Sequence, residues 1–135
     1  MSQVYARNRK ETNFQFYDNA KRLTKSICRF SNSKKYFPKK YMFSYSQHLR
    51  LKAFELLDNV SYAYGIYAST QELVYEKKNY ISKAVSNCYQ LQNILDVYID
   101  SIQTVKFENI DFLEELEHEK VLLEGWRKSI KMVNE

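Results

Sequence analysis

Arg22, Lys25 and Arg29 recur at steps of three and four residues, the spacing that places side chains on one face of an α-helix. Three like charges so arranged repel one another, which favours a counter-charge such as a phosphate or an acidic protein surface. Downstream, Lys34, Lys35, Lys39 and Lys40 are interleaved with Tyr36, Phe37, Pro38 and Tyr41. Cations that neutralise phosphates, set among rings that stack on bases, hold single-stranded nucleic acid with little sequence choice. Arg50 and Lys52 continue the basic run, making nine candidate contacts for phosphates or an acidic partner. The bias is regional: residues 1–67 hold 13 Lys and Arg against 4 Asp and Glu, whereas residues 68–135 hold 8 against 12. A one-sided basic field is the electrostatic footprint of a polyanion binder. The aromatics Tyr36, Phe37, Tyr41 and Phe43 are read differently, as a plug closing the end of a helical core.

Other chemistry has little support. His48 and His118 are the only histidines, and no HxxxH, ExxH set or Cys/His cluster accompanies them, so no metal site is expected. Cys28 and Cys88 stand alone and are expected to be reduced thiols that behave as small hydrophobes, neither disulfide-bonded nor nucleophilic. The acids Glu114, Glu115, Glu117 and Glu119 point around a helix instead of converging on a metal, and read as a solvated face or a contact for a basic partner. No Ser/His/Asp order, phosphate-binding loop or carboxylate pair is present, so no catalytic residue, cofactor or enzymatic activity is expected.

The elements that must carry the basic residues are helices. Apolar residues recur with a 3-4 step in four segments: Phe16, Ala20, Leu23, Ile27, Phe30; Leu49, Ala53, Leu56, Val60, Ala63, Tyr67; Ile81 through Val105; and Leu113, Leu116, a slot at Lys120, Leu123, Trp126, Ile130 and Val133. No stretch alternates with period two. The fold class is therefore all-α, with helices over about residues 12–31, 45–67, 71–105 and 110–133 in a single domain spanning 1–135. Ser44 with Gln47, Thr70, and Asn109 with Asp111 are candidate helix starts. With only 2 Gly and 1 Pro in 135 residues, turn-rich β folds are excluded. Short links between long helices, and the 3-4 repeat, predict an up-down-up-down antiparallel four-helix bundle. The aromatic surplus beyond the seam positions is read two ways, as contacts between subunits in a homo-oligomer or as a wide core with tyrosines laid flat at its edges.

The first ten residues contain no apolar run of the kind a secretory signal needs, and the longest hydrophobic stretch is too short to span a bilayer. With two lone thiols, the expectation is a cytoplasmic protein without membrane partners.

The stretch Phe37-Pro38-Lys39-Lys40-Tyr41-Met42-Phe43-Ser44-Tyr45-Ser46-Gln47-His48-Leu49-Arg50, followed by Ala53-Phe54-Glu55-Leu56-Leu57, resembles the accessory variability determinant proteins of diversity-generating retroelements. So does Leu122-Leu123-Glu124-Gly125-Trp126-Arg127-Lys128-Ser129, and the likeness covers about residues 14–132. The resemblance implies a basic four-helix bundle in a barrel-shaped homopentamer. It further implies binding to the element's reverse transcriptase and to RNA or DNA during mutagenic copying of a template RNA, without catalysis of its own. Two positions depart from the commoner pattern: Ser46 stands where a Gly often precedes the Gln, and His48 replaces the usual Arg. A related family, the four-helix-bundle proteins encoded in intervening sequences of ribosomal RNA genes, is similar in fold, but its Ser-Ile-Pro…Asn-Ile-Ala-Glu-Gly signature is missing. A protein–protein scaffold with no nucleic-acid role is the other alternative. Gly125 beside Trp126 is read as packing or subunit contact.

Overall fold

The computed structural model describes residues 3–101 and 112–133, with side chains described from residue 15 onward except those of Met42 and Phe43. Among these residues the chain is helical and holds no strand: α1 spans Gln3–Asn32, the short turn α2 Lys39–Tyr41, α3 Gln47–Gly65, α4 Gln71–Ser101 and α5 Phe112–Ser129. A single π-type turn, Met42–Ser46, joins α2 to α3. The chain therefore reaches α3 already helical, and the expected Ser44/Gln47 capping box is not used. Ser46 takes α-helical angles without a side-chain cap, and its hydroxyl donates to the Ser31 carbonyl at 2.6 Å. Thr70 does cap: its Oγ1 accepts the Leu73 amide at 3.2 Å at the start of α4. The expected start at Asn109 and Asp111, and the seam positions Ile102 and Val105, lie outside the described residues.

The apolar stripes converge on one core. Phe16, Ala20, Leu23, Ile27 and Phe30 of α1 meet Leu49, Ala53, Leu56, Val60 and Ala63 of α3, with Ile81 to Tyr98 of α4 and Phe112, Leu116 and Leu123 of α5. α3 packs on α1 and α4, and α5 closes against α4 and α1. Ala20 and Ala53 are small enough for α1 and α3 to approach until Thr24 Oγ1, which donates to the Ala20 carbonyl of its own helix at 2.8 Å, also lies 3.2 Å from the Ala53 carbonyl of α3. Two seam positions differ from expectation. Tyr67 is 68% exposed because α3 ends at Gly65 and Ile66 turns extended, carrying Tyr67 off the helix face. In α5 the inward position after Leu116 belongs to Glu119, fully buried, and Lys120 instead turns to the edge, where it ion-pairs with Glu117 at 2.8 Å.

Between α3 and α4 the interface is polar at its middle. Asn59 Nδ2 donates to Asn87 Oδ1 at 2.7 Å, and the Asn87 amide donates to Glu55 Oε2 at 3.2 Å and Gln90 Oε1 at 3.0 Å. Toward α5's far end, Phe16 stacks on Trp126 with centroids 4.8 Å apart, and Lys77 Nζ donates to the Ile66 carbonyl left free at the end of α3.

The connection between α1 and α2 is folded inward. Phe37 is fully buried, stacked on Tyr98 at 4.4 Å and edge-on to Phe30 at 5.1 Å, while Phe30 meets Phe112 at 5.2 Å. The Tyr98 hydroxyl donates to the Tyr36 carbonyl, and Tyr41 and Tyr45 stand against the Tyr98 ring. Burial, and then the neighbouring Tyr41 and Tyr45, push the Tyr98 phenol up to about 12. The loop aromatics Tyr36, Phe37 and Tyr41 thus serve as the expected plug; the side chain of Phe43 lies outside the described residues. Each ring pair adds about 0.5–1.5 kcal/mol beyond its buried area, and Phe37 has several partners. Phe37→Ala is expected to cost about 3–5 kcal/mol in urea-induced unfolding, and Phe37→Leu much less. A loss below about 1 kcal/mol for Phe37→Ala would show that the plug does not hold this end together.

Candidate polyanion-binding surface

The stripe of α1 that faces the core dictates what faces away from it. With Phe16, Ala20, Leu23, Ile27 and Phe30 inward, Arg22, Lys25 and Arg29 come out on the opposite side, and all three are exposed. The Arg22 guanidinium donates to Asn19 Oδ1 one turn earlier, which tethers it without neutralising it. Among the described residues, neither Lys25 nor Arg29 forms an ion pair. Arg29 lies in the last turn of α1, where a cation also complements the helix dipole.

Arg29 leads into the connection that holds Lys34, Lys35, Lys39 and Lys40, again all exposed. Their rings are turned to the core, so the cations form the outer layer of the plug. Lys35 Nζ lies 5.3 Å from the centre of the Tyr36 ring and Lys40 Nζ 5.0 Å from that of Tyr41. Cations are therefore presented here with their ring faces partly covered, which suits phosphate contact better than base stacking.

Arg50 and Lys52 differ from Lys25 and Arg29 in having partners within the chain. Arg50 is half-buried and donates to Asn32 Oδ1 at 2.9 Å and Ser46 Oγ at 2.8 Å, fastening the end of α1 to the start of α3. Lys52 points to the opposite flank of α3, paired with Glu55 at 3.1 Å, whose same oxygen accepts from Asn87 of α4. Residues two apart on a helix diverge by about 200°, which separates the pair. His48 diverges from Arg50 in the same way: it is exposed and lines an apolar groove of about 330 Å³ with Tyr45, Ile94 and Val97. It lies away from the ridge of Arg22, Lys25 and Arg29.

Sequence reasoning also missed members. Lys21, exposed on α1, sits 4.2 Å from the Tyr17 ring centre, and Tyr17 in turn leans on Tyr64 of α3 at 6.1 Å. Its place four residues before Lys25 was a visible signal. Glu119 was missed because a 3-4 repeat allows either a three- or a four-residue step after Leu116, and four leads to the plausible Lys120.

The cysteines are free, Cys28 half-buried and Cys88 buried. Burial raises both thiols; Arg50 offsets this at Cys28, whereas Glu119 adds to it at Cys88. Neither is an activated nucleophile. No group of three or more metal-ligating side chains occurs among the described residues, and among them no helix is long and apolar enough to cross a membrane. Gly125 is exposed, and a Cβ there would meet nothing within 4 Å, so packing among the described residues does not require a glycine at this position.

Compared with protein-family models, with curated proteins and with solved structures, the chain matches none.

Glu119 yields a stability prediction. Burial pushes its carboxyl up to about 8, with Arg22 partly offsetting the effect. A carboxyl whose folded-state pKa exceeds its unfolded value of 4.5 costs nothing below that value. The cost then grows as pH rises toward about 8, and is constant above it. Glu119→Leu is expected to raise stability by on the order of 1–3 kcal/mol at pH about 8 and to lose that advantage near pH 4.5. Urea titrations at both pH values check this; an advantage independent of pH would show that the charge is not what costs.

Proposed function

We propose that this protein is a non-enzymatic accessory factor that binds nucleic acid through the outward ridge of α1 and the lysines that follow it. The single observation that carries the reading is the ridge Arg22, Lys25 and Arg29: three cations on one exposed helix face, continuous with Lys34, Lys35, Lys39 and Lys40, and with no acid paired to Lys25 or Arg29 among the described residues. A cationic strip of this kind gains affinity by releasing counterions from phosphates. Lys21 extends it, while Arg50 and Lys52 are assigned to structure.

The architecture is read as an up-down-up-down antiparallel four-helix bundle. Phe16 meets Trp126 and Phe30 meets Phe112, as expected of α1 and α5 running oppositely. Tyr62 on Tyr80 and Asn59 on Asn87 support the same for α3 and α4. By its resemblance to the accessory variability determinant proteins, the chain is read as assembling into a homopentamer that joins a reverse transcriptase and its RNA or DNA in the cytoplasm. A ring of subunits would multiply one strip into a larger cationic surface, and avidity strengthens each weak contact.

Reversing Arg22, Lys25 and Arg29 to Glu together is expected to weaken binding of a single-stranded oligonucleotide at least about tenfold at low salt. The slope of log affinity against log salt should flatten by about 2, since each lost phosphate contact removes about 0.7. Far-ultraviolet circular dichroism should show helical content intact. Unchanged affinity would overturn the ridge, and absence of any binding by the natural protein would favour the protein–protein scaffold. The biological role has its own test: a neighbouring reverse transcriptase gene with template and variable repeats, and a solution mass of five times 16.3 kDa, are the expected findings.

A further inference from the structure

Glu119 is anomalous among the described residues: its side chain is fully buried and neither carboxylate oxygen has a hydrogen-bond partner. Buried carboxylates are ordinarily paired, because an unpaired charge in a low-dielectric interior is costly. α5 packs on α1 and α4, so the groups able to act on Glu119 can be named. From α1 comes Arg22, the attractive charge. From α4 comes Cys88, a buried thiol. On α5 itself, Glu117, Lys120 and Glu124 are grouped around Cys88, while Glu115 and His118 face Arg22.

Arg22 belongs to two settings at once. It is exposed on the outward ridge, and it lines a pocket of about 250 Å³ between α1 and α5 with Gln15, Asn19, Leu23, Glu115 and His118. Two amides, a guanidinium and an imidazole supply hydrogen-bond donors for a phosphate, while Glu115 opposes one. The guanidinium that would contact the phosphate is also the counter-charge that makes an ionised Glu119 tolerable.

We propose that this pocket is a site for a phosphodiester of a nucleic-acid backbone, and that filling it is linked to uptake of a proton by Glu119. The phosphate engages Arg22 and brings its own negative charge toward α5. Both effects disfavour the carboxylate, which takes one proton from solution and becomes a neutral acid; no other bond changes. By linkage, binding tightens as pH falls and the bound nucleic acid keeps Glu119 protonated. This inference rests on the polyanion-binding reading above and assigns it one particular subsite.

The test is isothermal titration calorimetry of the full chain with a short single-stranded oligonucleotide, in two buffers of different protonation enthalpy at the same pH and ionic strength. With the free carboxyl half-protonated at pH about 8, full protonation on binding corresponds to uptake of about half a proton per complex. Glu119→Gln is expected to bind with no such uptake. Arg22→Gln, a surface change that does not touch the core, is expected to lose the uptake and to bind more weakly through Lys25 and Arg29. Uptake that persists in Glu119→Gln, whether carried by His118 or another group, overturns the linkage and leaves the ridge standing. Failure of the natural protein to bind the oligonucleotide at low salt overturns the ridge, and the linkage with it.

Discussion

The inward stripe of α1 is the constraint on which both the fold and its surface depend. Five residues, Phe16, Ala20, Leu23, Ile27 and Phe30, must leave water together, and a helix can satisfy them with only one rotation about its axis. That rotation leaves no freedom for Arg22, Lys25 and Arg29, which share the remaining face. The cationic ridge is therefore held in place by hydrophobic burial on the other side of the same helix, with no ion pair of its own among the described residues.

The second organising contact is the aromatic closure at the far end of α1. Phe37 enters the core from a connection whose other side chains are strongly basic, and Tyr98 receives both its ring and the carbonyl of Tyr36. A flexible loop of four lysines would offer a poor binding surface, since ordering it would cost conformational entropy at the moment of contact. Anchoring its rings removes much of that cost in advance. The plug and the ridge thus cooperate: one orders what the other extends.

Most of this was legible in the sequence, and the failures have physical causes. The helices followed from apolar spacing because burial period and helix period coincide, and Thr70 was recognisable as a cap because its hydroxyl stands three residues before a free amide. The Ser44 cap failed because the residues before α3 are helical as well, through a π-type turn that no local rule announces. Arg50 and Lys52 were grouped with the ridge on charge alone, whereas their helix positions send one to Asn32 and the other toward Glu55. Glu119 was hidden by convention: an acid is assumed to be solvated, and Lys120 beside it fitted the repeat with a long stem able to lie along the edge. Burial of a carboxylate is decided by the packing angle of α5, which one-dimensional spacing does not contain.

The amide ladder between α3 and α4 has a consequence for how these helices recognise each other. Apolar stripes are forgiving, since a slide of one turn, about 5.4 Å, exchanges one Leu or Ala contact for another. Asn87 is not forgiving: 4% exposed, it reaches Asn59 and Glu55 of α3 in only one alignment, while Gln90 of its own helix holds its amide in place. Any displaced pairing would take away both of its partners on α3, at about 1–3 kcal/mol. Three side chains thereby act as a vernier, reading the offset of two greasy rods that could otherwise settle at several.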